Sequence, residues 1–247
     1  MTSEFELLPA IDLRGGRVVR LRQGDFERET AYSDDPVAVA SAFADGGARW
    51  LHVVDLDGAR TGDPMHAAVI RAIVAAVGDR VRVEIAGGLR SRVAVAEALE
   101  TGAARVVVGT AALRDPGFAR TLIATHGADR IAVAVDVRDG RATGHGWDPG
   151  APGTDALEAI GTLADAGVQA FEVTAIDRDG LLAGPDLELL GSAVALGTGQ
   201  IIASAGISSV EDLRAVRAIG CAGAIVGRAL YEGRLTVRDA IAGLARD

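Results

Sequence analysis

Short apolar runs rich in Val and Ile recur along the chain, at residues 6–12, 50–55, 82–86, 105–108, 131–136, 170–174, 201–204 and 223–226. They lack a clean polar alternation, which is how strands buried on both faces read. Between them lie Ala- and Leu-rich stretches with apolar residues at helical spacing, at 36–45, 67–77, 92–101, 116–126, 154–166, 187–196, 209–219 and 237–245. Asp35-Pro36 and Asp115-Pro116 place a capping side chain before a proline at a first helical position. Ser208-Ser209-Val210-Glu211 fits a capping box. Gly46, Gly102, Gly127, Gly167 and Gly220 each follow a helical run and read as stops.

Eight strand–helix pairs at about 31 residues each imply a parallel sheet, and the count favours closure into a barrel. The expected fold is α/β, a single (β/α)8 TIM barrel over residues 1–247. No linker or shift of composition divides the chain. It does resemble itself. Val83 to Ser91 lines up with Ile201 to Ser209, and Val107-Val108-Gly109-Thr110-Ala111 with Ile225-Val226-Gly227-Arg228-Ala229, at one common offset. The barrel is therefore read as two similar half-barrels, roughly 1–125 and 126–247.

Composition narrows the class. With 49% apolar and 24% charged residues the chain is not disordered. One cysteine, Cys221, leaves no disulfide framework and no cysteine metal cluster. No apolar stretch approaches the ~18 residues of a membrane span, and the start of the chain lacks a signal-peptide pattern, so a soluble cytoplasmic protein is expected. The net charge of −9 argues against nucleic acid and anionic membranes as partners. It does not argue against a small anion held by backbone N–H groups.

The repeated glycines Gly88, Gly109, Gly206 and Gly227 fall where strands end and helices begin. That placement suits phosphate, and its twofold recurrence predicts an elongated ligand with a phosphate at each end. Polar residues ending apolar strands point into a barrel mouth: Asp12, Asp55, Asp136 and Thr174, with Asp179 in the next loop. Carboxyls sharing one partly desolvated cup hold different pKa values, so one can serve as base and another as acid, as a proton transfer between neighbouring sugar carbons requires. Arg20 and Arg22 share a face by strand-like alternation and suit clamping an anion. Trp147, in a Gly/Pro-rich loop, is placed to stack on a heterocycle, and His145 is the histidine nearest that mouth. The four histidines show no metal-ligand spacing.

Leu8-Pro9-Ala10-Ile11-Asp12-Leu13, His52-Val53-Val54-Asp55-Leu56-Asp57-Gly58-Ala59, Ala86-Gly87-Gly88-Leu89-Arg90, Val108-Gly109-Thr110-Ala111, Asp136-Val137-Arg138, Gly146-Trp147, Asp177-Arg178-Asp179-Gly180 and Ile225-Val226-Gly227-Arg228-Ala229-Leu230 appear in order over essentially the whole chain. Together they resemble the ProFAR isomerase family of histidine biosynthesis. The resemblance implies a monomeric barrel without metal or organic cofactor. Its reaction is an Amadori rearrangement of an aminoaldose, carrying a phosphate at each end, to the aminoketose. It implies Asp12 as the base at C2 of the ribose. Of two assignments of the acid in the family, Asp179 is preferred here, with Asp136 organising the site. Arg20, Asp55, Thr174 and His145 would bind substrate, Trp147 would cover the heterocycle, and Gly88, Gly109, Thr110, Gly206, Gly227 and Arg228 would hold the phosphates.

Three positions depart from the family's usual pattern: Thr174-Ala175 for Thr-Asp, Asp179-Gly180-Leu181 for Asp-Gly-Thr, and Ala205-Gly206 for Gly-Gly. Retained but altered activity is expected. One alternative is the bispecific isomerase that also takes phosphoribosyl anthranilate. It typically has Arg where His145 stands, so single specificity is preferred. The related cyclase subunit of imidazole glycerol phosphate synthase fits the first strand less well, and a non-catalytic phospho-ligand barrel is a third reading.

Overall fold

The computed structural model describes residues 5–144 and 153–245. Eight parallel strands form the barrel: Glu6–Arg14, Trp50–Asp55, Arg82–Ala86, Arg105–Val108, Ile131–Arg138, Ala170–Ala175, Gln200–Ser204 and Gly223–Val226. Each pairs with the next, and the last pairs with the first through Glu6 opposite Gly223, so the sheet closes. Closure leaves no barrel strand with an unpaired edge.

Eight helices follow the strands: Pro36–Asp45, Ala67–Val77, Arg92–Glu100, Pro116–His126, Ala156–Asp165, Leu187–Ala195, Val210–Ala218 and Val237–Leu244. Asp35 caps the first by accepting from the Ala38 amide, and Asp115 caps another through Gly117. The capping box is one residue later than its sequence suggests. Ser209 is the cap and Asp212, not Glu211, reaches back to it. The predicted helix from 154 starts instead at Ala156, because Thr154–Asp155 pairs with Arg141–Ala142 and Asp155 becomes the cap. After the first helix the left-handed residue is Gly47 rather than Gly46.

Four strands outside the barrel add to the pattern. Arg17–Arg22 runs antiparallel to the first barrel strand and pairs in turn with Asp25–Ser33. Arg141–Thr143 folds back on Asp136 to Arg138, and Thr154–Asp155 pairs with it. The first two turns, Gly15-Gly16 and Gln23-Gly24, have positive φ at both central residues, the twist that tight hairpins need. Asp12 and Asp136 therefore lie inside continuing strands rather than at strand ends.

The core has two parts. A large apolar cluster fills the space between sheet and helices, with Ile11, Leu51, Val53, Val133 and Phe171 from the strands meeting Ile73, Leu122, Ile160 and Leu213 from the helices. Inside the barrel the apolar filling is sparse: Leu8, Ala10, Trp50, Ile202 and Ile225 on one side, Val107, Ala132 and Ala170 on the other. The remaining interior carries polar and charged side chains, among them His52, Glu84, Arg105 and Glu172, all buried. Among the described residues, no helix is long and apolar enough to cross a membrane.

Candidate active site

The mouth of the barrel opens into a cavity of about 600 Å³. Asp12, Arg20, Gly88, Gly109, Thr110, Asp136, Thr174 and Asp179 line it, together with His52, Glu172 and Phe26. A smaller pocket adjoins it, lined by Arg20, Asp179, Ala205, Gly206, Gly227 and Arg228. The structure thus gathers most of the residues singled out by sequence at one end of the barrel, where strand register brings them level. Asp136 sits opposite Thr174, and Thr174 opposite Ser204.

Asp12 and Arg20 form the centre. Arg20 Nη1 lies 2.8 Å from Asp12 Oδ1, both largely buried. Burial pushes the Asp12 carboxyl above its ordinary range, against the opposing pull of Arg20 and His52. Asp179 is raised to about 6, by burial first, with Arg20 opposing and the charges of Asp12 and Asp136 adding to the rise. Arg20 therefore feels both carboxylates. Two raised carboxyls around one fixed cation are the arrangement that lets one give a proton while the other takes one.

The glycine loops make the rest of the mouth. Gly109 and Gly227 have nearly the same backbone, φ −110 and ψ −101 against φ −108 and ψ −99, and each opens a short helix, Thr110–Arg114 and Arg228–Tyr231. Their surroundings differ. A Cβ on Gly109 would meet Ala134 Cβ at 3.7 Å, whereas one on Gly227 would fall 2.3 Å from Arg20 Nη2. Gly227 is the floor on which the Arg20 guanidinium rests. Arg228 donates from Nη1 to the Gly180 carbonyl at 2.6 Å and from Nε to Glu232 at 3.1 Å, which ties the Asp179 loop to the last strand.

Several expectations need correcting. Asp55 does not line the mouth. It is 1% exposed and its two oxygens accept from the amides of Gly58 at 2.7 Å, Met65 at 2.6 Å and His66 at 2.8 Å. It caps the helix Leu56–Thr61 and pins the loop behind it. Arg22 is exposed and does not join Arg20, because the pairing register shifts between Leu21 and Arg22. Trp147 and His145 lie outside the described residues.

The sequence reading passed over a buried polar group below the mouth. His52 Nδ1 and Glu84 Oε1 are 2.7 Å apart, and Arg105 Nε donates to Glu84 Oε2 at 2.7 Å. Glu172 Oε1 is 3.6 Å from His52 Nδ1. Glu84 falls to about 2: burial opposes this, while hydrogen bonding from His52 and the Arg105 charge prevail. Glu172 goes well above the usual carboxylate range, through burial and the neighbouring Glu84 charge. His52, Glu84 and Glu172 offer ligand atoms within 4.8 Å of one another. Both Glu84 oxygens are already engaged, however, which leaves the set short of free donors for a cation. The available signal was alternation: His52 sits between Trp50 and Val54, and Glu84 between Arg82 and Ala86, on the faces of their strands that point into the barrel.

A closed (β/α)8 barrel with paired carboxyls and two alike glycine turns at its C-terminal mouth is a TIM barrel with the groups for acid–base chemistry where such enzymes carry them. The family described as histidine biosynthesis protein matches residues 6–236. The chain is similar over 97% of its length to a protein of Roseiflexus sp. (strain RS-1), at 48% identity and with all of that relative covered. Thermomicrobium roseum has a relative 50% identical over 93% of both chains, and Rhodospirillum rubrum one 45% identical over 97% of this chain and 99% of its own. All three are named as imidazole-4-carboxamide isomerases whose names carry two 5-phosphoribosyl groups. The chain belongs to the histidine biosynthesis protein family.

Proposed function

We propose that the chain is the aldose–ketose isomerase of histidine biosynthesis that turns ProFAR into its aminoketose by an Amadori rearrangement. The observation that carries this reading is the placement of Asp12 and Asp179 on one cavity with Arg20 between their charges. The names of the relatives, and the two-ended substrate those names describe, support it.

In this reading Asp179 gives a proton to the ring oxygen of the ribose and the ring opens to a Schiff base. Asp12 removes the proton from C2. Arg20 holds Asp12 in place and steadies the charge between the two carboxyls. Thr174 and Asp136, level with each other, orient the sugar hydroxyls. Gly88, Gly109 and Thr110 hold one phosphate, and Gly206, Gly227 and Arg228 the other, through backbone N–H groups at strand-to-helix turns. The two cradles descend from one repeated unit, residues 1–125 and 126–247 in a single domain. The enzyme works in the cytoplasm as a monomer without metal or cofactor.

The test is turnover of the purified chain on the bis-phosphorylated aminoaldose, with phosphoribosyl anthranilate assayed beside it. Turnover of the first by the wild type, abolished in Asp12→Asn, is expected. Equal signal from both proteins defeats the reading.

A further inference from the structure

The Amadori rearrangement takes four proton transfers, and the two carboxyls account for three. Ring opening takes a proton from Asp179 to the ring oxygen. Asp12 removes one from C2 and returns it to C1. The hydroxyl on C2 still has to lose its proton: its O–H bond breaks as the C2 carbonyl forms, and the C1–C2 π pair goes to C1 to bind the incoming proton. A group in the cavity has to receive what leaves the oxygen.

We infer that His52 is that group, with its Nε2 contacting the C2 hydroxyl and Glu84 holding the ring. The inference rests on the isomerase reading above. Strand register supports it. Ala10 pairs with His52 and Asp12 with Val54, so His52 faces the interior one step below Asp12, on the adjacent strand. Both residues line the same cavity. The inferred pose turns the hydroxyl of the carbon that Asp12 deprotonates down toward His52.

The tautomer also fits. Glu84 is a fully buried carboxylate whose Oε2 accepts from Arg105, so it only accepts hydrogen bonds. His52 Nδ1 must therefore carry the proton shared with Glu84 Oε1 at 2.7 Å. Nε2 is left with its lone pair, on a ring that lines the cavity. Taking a proton there makes an imidazolium already facing the Glu84 carboxylate. Glu172 Oε1, which has no hydrogen-bond partner among the described residues, stands 3.6 Å away. This is the nucleophile-free version of a base held in one orientation by a carboxylate. The proton returns through cavity solvent to Asp179, which lost one at ring opening, so the cycle closes without a net change.

A buried ionic cluster of this kind adds little stability over apolar filling. Its value is in what it presents to the cavity.

Two substitutions separate a chemical role from a structural one. His52→Asn keeps an amide donor near the Nδ1 position, facing Glu84, and deletes Nε2. His52→Gln extends an amide toward the Nε2 position and gives up the Nδ1 contact. If Nε2 takes the proton, neither amide can, so both variants lose kcat by about 100-fold or more. Asn, which keeps the contact with Glu84, then melts close to the wild type, and Gln melts lower. If His52 only packs against Glu84, Asn keeps kcat near the wild-type value, and that result overturns the inference. The wild type is assayed in parallel on the aminoaldose. Wild-type turnover beside an active His52→Asn defeats only the role of His52, whereas a wild type without turnover defeats the isomerase reading and this inference together.

Discussion

Ala205 has φ +77, a conformation that costs an L-residue about 1–2 kcal/mol and glycine almost nothing. It occupies the place where the family more often has glycine, and its partner in the other half, Gly87, is likewise at positive φ. Ala205→Gly is expected to raise unfolding stability by about 1 kcal/mol, measured by urea denaturation. Asp55 gives the opposite case. Asp55→Ala removes the acceptor of three amides and is expected to cost about 3 kcal/mol in the same measurement. Any activity lost at 25 °C should return at lower temperature if the loop alone is at fault. Asp12, Arg20 and Asp179 were legible in the sequence because each is a charged residue beside an apolar strand. Asp55 was misread because an aspartate ending a strand and one opening a helix look alike until the amides beyond it are placed. His52, Glu84 and Glu172 were hidden for another reason. Each stands alone in its own strand, and only barrel closure brings the three together.

At the scale of elements, the eight barrel strands and eight principal helices follow from apolar periodicity and caps. Most of their boundaries fall within a residue or two of the expected ones. Of the hairpin from Arg17 to Ser33 only the first strand is legible, in the alternation of Arg20 and Arg22, since the second strand, Asp25–Ser33, is largely polar and exposed and carries no apolar alternation. This hairpin delivers Arg20 to the mouth, and it is pinned at its far end by Tyr32, which donates to Glu232 at 2.8 Å and stacks on Tyr231. Seating Arg20 depends on the last strand as well. In Gly227→Ala the new methyl displaces the guanidinium, a flexible group, so the fold survives and Asp12 loses its partner. Gly109→Ala imposes the same backbone change where only an ordinary contact with Ala134 results. Steady-state kinetics should show kcat down about tenfold or more in Gly227→Ala, with the Gly109→Ala effect carried mainly by KM.

For the whole molecule, chemistry and stability pull in different directions at Asp179. Its carboxyl is raised to about 6 in the folded chain against an ordinary 3.8. A raised acid favours folding fully below its unfolded pKa and loses that advantage as pH climbs through the folded value. The ionised group therefore burdens the fold above about pH 6. Asp179→Asn should raise the melting temperature at pH 8, with the difference from wild type shrinking toward pH 4. The same variant should lose the alkaline limb of kcat/KM, which in the wild type falls as pH rises through about 6 because the proton donor is spent. A melting difference that does not change with pH would sink the assignment.

The repeated mouth is alike in backbone and unlike in charge. Gly109 and Gly227 share one conformation, yet Arg20 lies across only the second. The two turns are therefore not interchangeable, and the bis-phosphorylated substrate proposed above is expected to favour one of its two orientations. Arg20, laid over one copy, would give the proposed site its polarity, so that the sugar to be isomerised is expected beside Asp12.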